Sequence, residues 1–491
     1  MFRLAIPVLI EQLLVMLVVW IDTFIAARYL QETRYIAAIG VMAYILWMIP
    51  CTFGIVAIGS TALTARFVGA GDFKSAARTT NQSLLLGVFL ALLVTLLVFL
   101  FGDTFLQLLG MRADAAEPAG RYLRYVIPVI PAMMVQQVGI ACLRGAGDTM
   151  SGFITMAIVN TVNAIVGITL ATGLGPFPQL GWDGLAIGTI SGYVTGGIIV
   201  FVLLIRGRAG IKLKRKLLKF DYRLTCRILK IGIPGGMDQL FLVSCHIAFL
   251  MVITGLGNAA LAAHSLGIRI ESLAYLPGSA FHVAAATMTG QYLGAGKVKK
   301  ATRSALMATA IGGSLMIVSG FIFYFGAELL TGMFVVDNQP QITATLSATT
   351  IAASATSAGN PSYVIATFIA TSTISENHTN LVATLTIRLL QLVAFSMPSL
   401  ALMIILSGAL RGAGDTRWPL IFACVGLLGI RIPLALWLAQ DQIHLPLLGL
   451  EIDGWGLGVI GAWYAMIADV VLRSLMITAR FWHGGWQRIK V

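Results

Sequence analysis

Apolar residues run along this chain in blocks of about 20 or more, separated by short gaps rich in Gly, Pro, Asp, Lys and Arg. A helix of roughly 20 apolar residues crosses the ~30 Å hydrocarbon core of a bilayer. The short alternating segments of a membrane barrel are missing, so the pattern predicts helices. Twelve blocks read as spans, at about 4–28, 36–66, 75–101, 119–143, 149–173, 183–206, 225–254, 259–291, 300–326, 381–410, 417–438 and 456–481. The first block holds Glu11 and Asp22 and continues to about residue 27, too long and too interrupted for the apolar core of a cleavable signal peptide.

Of the 491 residues, 58% are hydrophobic and 11% charged, against about 25% charged in soluble domains. The net charge of +13 raises the question of nucleic acid. Its distribution gives a simpler account. Arg66, Lys74 and Arg78, then Arg144, the run from Arg206 to Lys230, the cluster Lys297–Arg303, and finally Arg411 and Arg417 all fall in alternate gaps. They therefore share one face of the membrane. Positive residues mark the cytoplasmic face, so both termini are expected in the cytoplasm, in a multi-pass protein of the cytoplasmic (inner) membrane. The basic run also suits anionic headgroups, but topology alone explains it. The expected partners are membrane lipids and a small-molecule substrate, without nucleic acid, for a monomer. The five cysteines show no CxxC and no paired spacing and read as small core residues; no metal site is expected.

The chain repeats itself. Leu143–Thr149 and Leu410–Thr416 both read Leu-Arg-Gly-Ala-Gly-Asp-Thr, at an offset of 267. Pro7, Glu11 and Gln12 parallel Pro234, Asp238 and Gln239, at 227. Thr64–Gly71 parallels Thr289–Gly296, at 225, and Phe101-Gly102 parallels Phe325-Gly326, at 224. The rise from 224 to 267 locates an insertion of about 43 residues, within about 338–385, rich in Thr, Ala and Ser. A helical hairpin, a β-ribbon or a cap would all fit that composition. Six spans return the chain to its starting side, so the halves are parallel repeats about an axis along the membrane normal. The organisation read is an all-α membrane protein: an N-terminal lobe 1–206, a basic linker 207–224, and a C-terminal lobe 225–491 carrying the insertion.

Several of these segments carry a resemblance. Pro7 with a helix-borne Asp22, the repeated Leu-Arg-Gly-Ala-Gly-Asp-Thr, Ala262-Ala-His264 followed by Ile268-Arg-Ile-Glu271, and Gly290-Gln-Tyr-Leu-Gly-Ala-Gly296 together resemble the multidrug and toxic compound extrusion (MATE) family of prokaryotic type. The resemblance implies twelve helices in two six-helix lobes facing a central cavity. It implies antiport by alternating access: organic, often cationic or amphipathic, compounds leave in exchange for H⁺ or Na⁺, with no cofactor.

Coupling requires a titratable or cation-binding group inside the membrane. A charged side chain there costs roughly 2.5–3.5 kcal/mol on insertion scales. Asp22 is the first candidate: no Lys or Arg lies three or four residues before it, and it matches the family's first-helix acid. Structural hydrogen bonding is the alternative. Asn163 and Thr189 match polar partners of that acid in one branch of the family, although the second acid expected there is Gly167. Asn160 lies nearby, with helix packing as its other reading. In the second half, Glu271 falls near mid-membrane, and the acid that another branch carries in its tenth helix is Leu400 here. Glu11 and Asp238 are repeat-equivalent acids near the cytoplasmic ends of spans one and seven, read as a relay, a gate or solvated ends. Asp469 and Arg473 are spaced as a structural i,i+4 pair. In the repeated turns, Arg144 with Asp148 and Arg411 with Asp415 read either as a charge lock or as helix exit and cap.

No HExxH, GxSxG or complete phosphate loop appears, so an enzyme is not expected. The rival reading is a flippase of lipid-linked oligosaccharides or lipids with a related fold. It would call for a large, strongly cationic cavity.

Overall fold

The computed structural model describes residues 1–26, 33–108, 113–214, 219–334, 380–445 and 450–489. It is helical apart from one short hairpin among these residues. The first half contains α1 (Phe2–Ile25), α2 (Thr33–Gly69), α3 (Phe73–Leu108), α4 (Ala113–Val126), α5 (Ile130–Gly145), α6 (Met150–Thr172) and α7 (Trp182–Arg206). The second contains α8 (Tyr222–Thr254), α9 (Asn258–Gly294), α10 (Val298–Phe325), α11 (Ala327–Phe334), α12 (Asn380–Ala394), α13 (Met397–Gly412), α14 (Arg417–Gly426), α15 (Ile432–Ala439) and α16 (Gly458–His483).

Nine helices among the described residues are long and apolar enough to cross a membrane, or ten if the bent pair α12 and α13 is one span. The expectation of twelve is therefore not reached on that measure. α1 and α9 are helical over the expected length but stand outside that count. In α9 the apolar content is diluted by His264, Arg269, Glu271, His282 and several small residues.

Proline marks the same place in two expected spans, and breaks the second. Pro131 stands just inside α5, which follows a 3-10 turn at Ile127–Val129, and its repeat mate Pro398 stands just inside α13, at a 57° bend. A proline lacks the N–H that an interior helical position needs, but is tolerated in a first turn. Most of the expected insertion, 338–379, lies outside the described residues; residues 380–385 are the first turns of α12. Between α15 and α16 the sequence reading left a loop. The chain instead forms an antiparallel hairpin, β1 (Gln442–Leu445) on β2 (Leu450–Asp453).

Apolar burial builds one cluster within the first half, around Phe53, Tyr122, Met134 and Trp182, and two mainly in the second, around Met397 and Trp463 and around Phe281 and Trp486. Outward faces are apolar too: Phe89 and Phe99 on α3 are 69% and 70% exposed, as lipid contact requires. The halves meet closely where α2 crosses α8. A Cβ on Gly59 would stand 2.3 Å from the Ile228 carbonyl oxygen, so only glycine permits this backbone approach. At the end bearing both chain termini, Arg66 donates to the Ala413 carbonyl (2.8 Å) and to the Ile489 carbonyl (2.8 Å). Thr287 and Gln291 donate to the carbonyls of Arg144 and Gly145 at 3.1 and 3.0 Å. The two halves are thus tied together at that end.

Candidate functional site

α1, α4, α6 and α7 converge on Asp22. The residue is only 5% exposed. Thr189 donates its hydroxyl to Oδ2 at 2.8 Å, and Asn163 donates its amide to Oδ1 at 3.3 Å. Tyr122 donates to Thr189 Oγ1 at 2.9 Å and lies 3.5 Å from Oδ2. Asn163 also reaches Thr189 Oγ1 at 3.1 Å. Three neutral donors therefore face one acid, and no arginine or lysine pairs with it among the described residues. Close packing of α6 on α7 makes this possible: a Cβ on Gly188 would fall 2.6 Å from the Gly167 Cα. Gly167, where an acid was looked for, is thus occupied by backbone approach. Buried donors aimed at a carboxylate each contribute on the order of 1 kcal/mol. They offset only part of the cost of an ion in this setting.

The sequence reading joined Asp22, Asn163 and Thr189, and all three meet. It missed Tyr122. A polar aromatic within the fourth span was the available signal; in the fold its ring lies 5.6 Å from that of Trp182, tilted by 56°. Asn160 stays apart from this group: its amide donates to Met156 of its own helix (2.9 Å), and its oxygen is buried without a partner.

Glu11 and Asp238 are not solvated ends. Both are buried. Arg144 contacts Glu11 at 2.7 Å, and Arg411 contacts Asp238 in the equivalent pair. The repeated turn thus sends its arginine to the first helix of its own half. The turn's aspartate goes elsewhere: Asp148 to Arg208 (2.7 Å) and Asp415 to Arg480 (2.9 Å). This replaces the lock read between Arg144 and Asp148. Part of the capping reading holds: Gly147 and Gly414 take left-handed φ of 91° and 85°, and Asp148 accepts from the Ser151 amide at 3.1 Å. Asp148 and Asp415 nevertheless differ. Burial raises the pKa of Asp148, but the bonds from Arg208 and Ser151 outweigh it and leave it below the ordinary carboxylate range. Burial of Asp415 outweighs Arg480 and raises it.

Glu271 makes no hydrogen bond or ion pair with the Asp22 group among the described residues. It lies half-buried on α9, within electrostatic reach of Arg431. Asp469 and Arg473 form the expected i,i+4 pair, doubly bonded at 2.7 Å. Arg431 joins them from the next span, its Nε 2.9 Å from Asp469 Oδ2. Arg431 is an unforeseen member. Opposite mid-span charges in neighbouring spans were the signal.

The MatE family model matches residues 7–169, 234–379 and 361–437. The chain is 24% identical over 490 residues to the probable multidrug resistance protein NorM of Thermotoga maritima, covering 99% of this chain and 93% of that one. It is 23% identical over 485 residues to the multidrug resistance protein MdtK of Yersinia pseudotuberculosis, covering 98% and 94%. Its fold matches a MOP superfamily transporter from Pyrococcus furiosus with a TM-score of 0.80 at 18% identity, over 98% of this chain and 94% of that one. These likenesses do not favour the flippase alternative. A helical membrane fold, repeated motifs and a family match over most of the length agree: the chain belongs to the MatE family of multidrug efflux transporters, and it is a transporter, not an enzyme.

Proposed function

We propose that this transporter is an antiporter that exports organic, cationic or amphipathic compounds by alternating access, in exchange for H⁺. The observation that carries the proposal is Asp22: a buried carboxylate held by Thr189, Asn163 and Tyr122, with neutral donors as its partners. Such a group binds a proton or a positively charged ligand with differential affinity, and differential affinity is what shifts a conformational equilibrium. A single carboxylate with a few neutral oxygens suits a proton better than a site that must wrap a metal cation in six or more oxygens. The proposal includes two six-helix lobes of twelve spans, both termini and the linker in the cytoplasm, and a monomer in the inner membrane. Lipids surround it.

The test is efflux of a fluorescent organic cation from proteoliposomes under an imposed H⁺ gradient and, separately, an imposed Na⁺ gradient. The expected result is H⁺-driven transport that Asp22→Asn removes. Transport by Asp22→Asn with unchanged pH dependence would sink the proposal, and transport driven by Na⁺ alone would replace the coupling ion.

A further inference from the structure

The centre of the second half holds a cation where the first half holds an acid. Phe249 follows Asp22 by 227 residues, the offset that relates Pro7 to Pro234. Its ring lies 5.8 Å from the Arg431 guanidinium. Arg431 ends a π-helical turn, Leu427–Arg431, between α14 and α15. A π turn inside a helix re-aims a side chain and is frequent at functional sites. In the first half α6 runs through the corresponding stretch as regular helix.

Two guanidiniums share one carboxylate here. Arg473 donates Nε to Asp469 Oδ1 and Nη2 to Oδ2, each at 2.7 Å, and so occupies both oxygens. Arg431 Nε stands 2.9 Å from the same Oδ2 but is not aligned to donate to it, and remains a buried nitrogen without a hydrogen bond. The whole Arg431 residue is only 4% exposed. Gly426 keeps the site tight, since a Cβ there would meet Arg473 Cδ at 2.7 Å. Other ionisable groups within electrostatic reach of the triad are Glu271 and Tyr275 on α9 and His246 and Cys245 on α8. His264 on α9 accepts from Trp463 at 3.1 Å. One positive charge is therefore left over unless Glu271 or a ligand answers it, and an unanswered charge in the membrane is costly.

We propose that Arg431, backed by Arg473 and floored by Phe249, binds a carboxylate group of the transported compound. A guanidinium fork fits a planar carboxylate, and one spare charge matches a monovalent group. The aromatic floor suits the ring of an amphipathic compound. Glu271 competes with that carboxylate for Arg431. The inference rests on the exporter reading above, but it concerns recognition and not coupling.

The test is fluorescence polarisation of two dyes on the purified full chain in detergent: rhodamine B, which carries a carboxylate, and its methyl ester, which does not. Wild type is expected to bind rhodamine B more tightly. Arg431→Met should cut that preference about tenfold, the loss of one charge-assisted bond, Arg431→Lys should cut it less, and Glu271→Gln should increase it. Sodium benzoate should displace rhodamine B selectively, and sodium chloride at equal concentration should not. Absence of a preference in wild type, equal weakening of both dyes in Arg431→Met, or equal displacement by chloride overturns the proposal. If Arg431→Met does not fold, an unchanged preference in both Arg431→Lys and Glu271→Gln overturns it. Equilibrium binding needs no gradient, so loss of H⁺ coupling with the dye preference intact would refute the antiport reading alone.

Discussion

At the centre of the first half, one carboxylate faces three neutral donors; at the centre of the second, one carboxylate faces two guanidiniums. The helices around the two centres are repeats of each other, and their outer parts kept matching chemistry. Glu11 with Arg144 answers Asp238 with Arg411, and Asp148 with Arg208 answers Asp415 with Arg480. The duplicated frame is therefore conserved between halves where it holds helix ends together, and diverges where the membrane makes charge expensive. An unpaired acid there can change its charge by taking a proton. An acid clamped between two arginines cannot easily do so, because protonation would strand both cations. On the proposed reading, the first centre alternates between charge states and the second stays charged.

That contrast can be broken most directly at Asp469. Asp469→Asn removes the carboxylate that two buried guanidiniums share, and breaking a buried ion pair costs about 3–5 kcal/mol. Thermal unfolding in detergent should show this as a large loss. A variant as stable as wild type would mean that the triad is not structural. Asp22→Asn should behave in the opposite way. Asn keeps an oxygen for Thr189, so stability should change by no more than about 1 kcal/mol, while gradient-driven dye efflux falls by about tenfold or more. Loss of folding in place of loss of transport would make Asp22 a structural acid.

The matched pairs should give matched losses. Glu11→Gln and Asp238→Asn each leave a partly buried arginine under-satisfied, at about 1–3 kcal/mol. Unequal melting shifts would separate two ends that the geometry treats alike. The smallest effect is in pH. Asp148 has a lowered pKa, so its contribution is present above the unfolded value of about 3.9 and is lost as pH falls through its own pKa. Asp415 has a raised pKa, so the folded state holds its proton longer, and its contribution declines as pH rises from about 3.9 through its folded pKa. The melting difference between wild type and Asp148→Asn should shrink on acidification. For Asp415→Asn the trend with pH should run the other way.

Much of this architecture was legible along the chain. Apolar length gave the helices because the bilayer sets a fixed thickness and demands that every backbone group be satisfied within its own segment. The repeats gave the pairing of helices between halves. Asp22 was legible as an unpaired acid in an apolar span, and Asn163 and Thr189 through the family resemblance. Tyr122 and Arg431 were not, since their roles depend on which face of a helix turns inward. In the case of Arg431 a π turn sets that face. The partners of Arg144 and Arg411 were not legible, because each lies on another helix, far along the chain. The hairpin 442–453 was missed because its strands are only four residues each.

The sequence by itself determined what must be buried, which segments are duplicated and which charges sit within spans. These are local or periodic properties, and transfer free energy acts on each segment independently. Only the tertiary structure decided which acid meets which base. That choice depends on helix rotation, on close approaches at Gly188 and Gly426, and on the bend at Pro398. Electrostatic energy varies steeply over a few ångströms, so a small rotation separates an acid held by neutral donors from one locked in an ion pair.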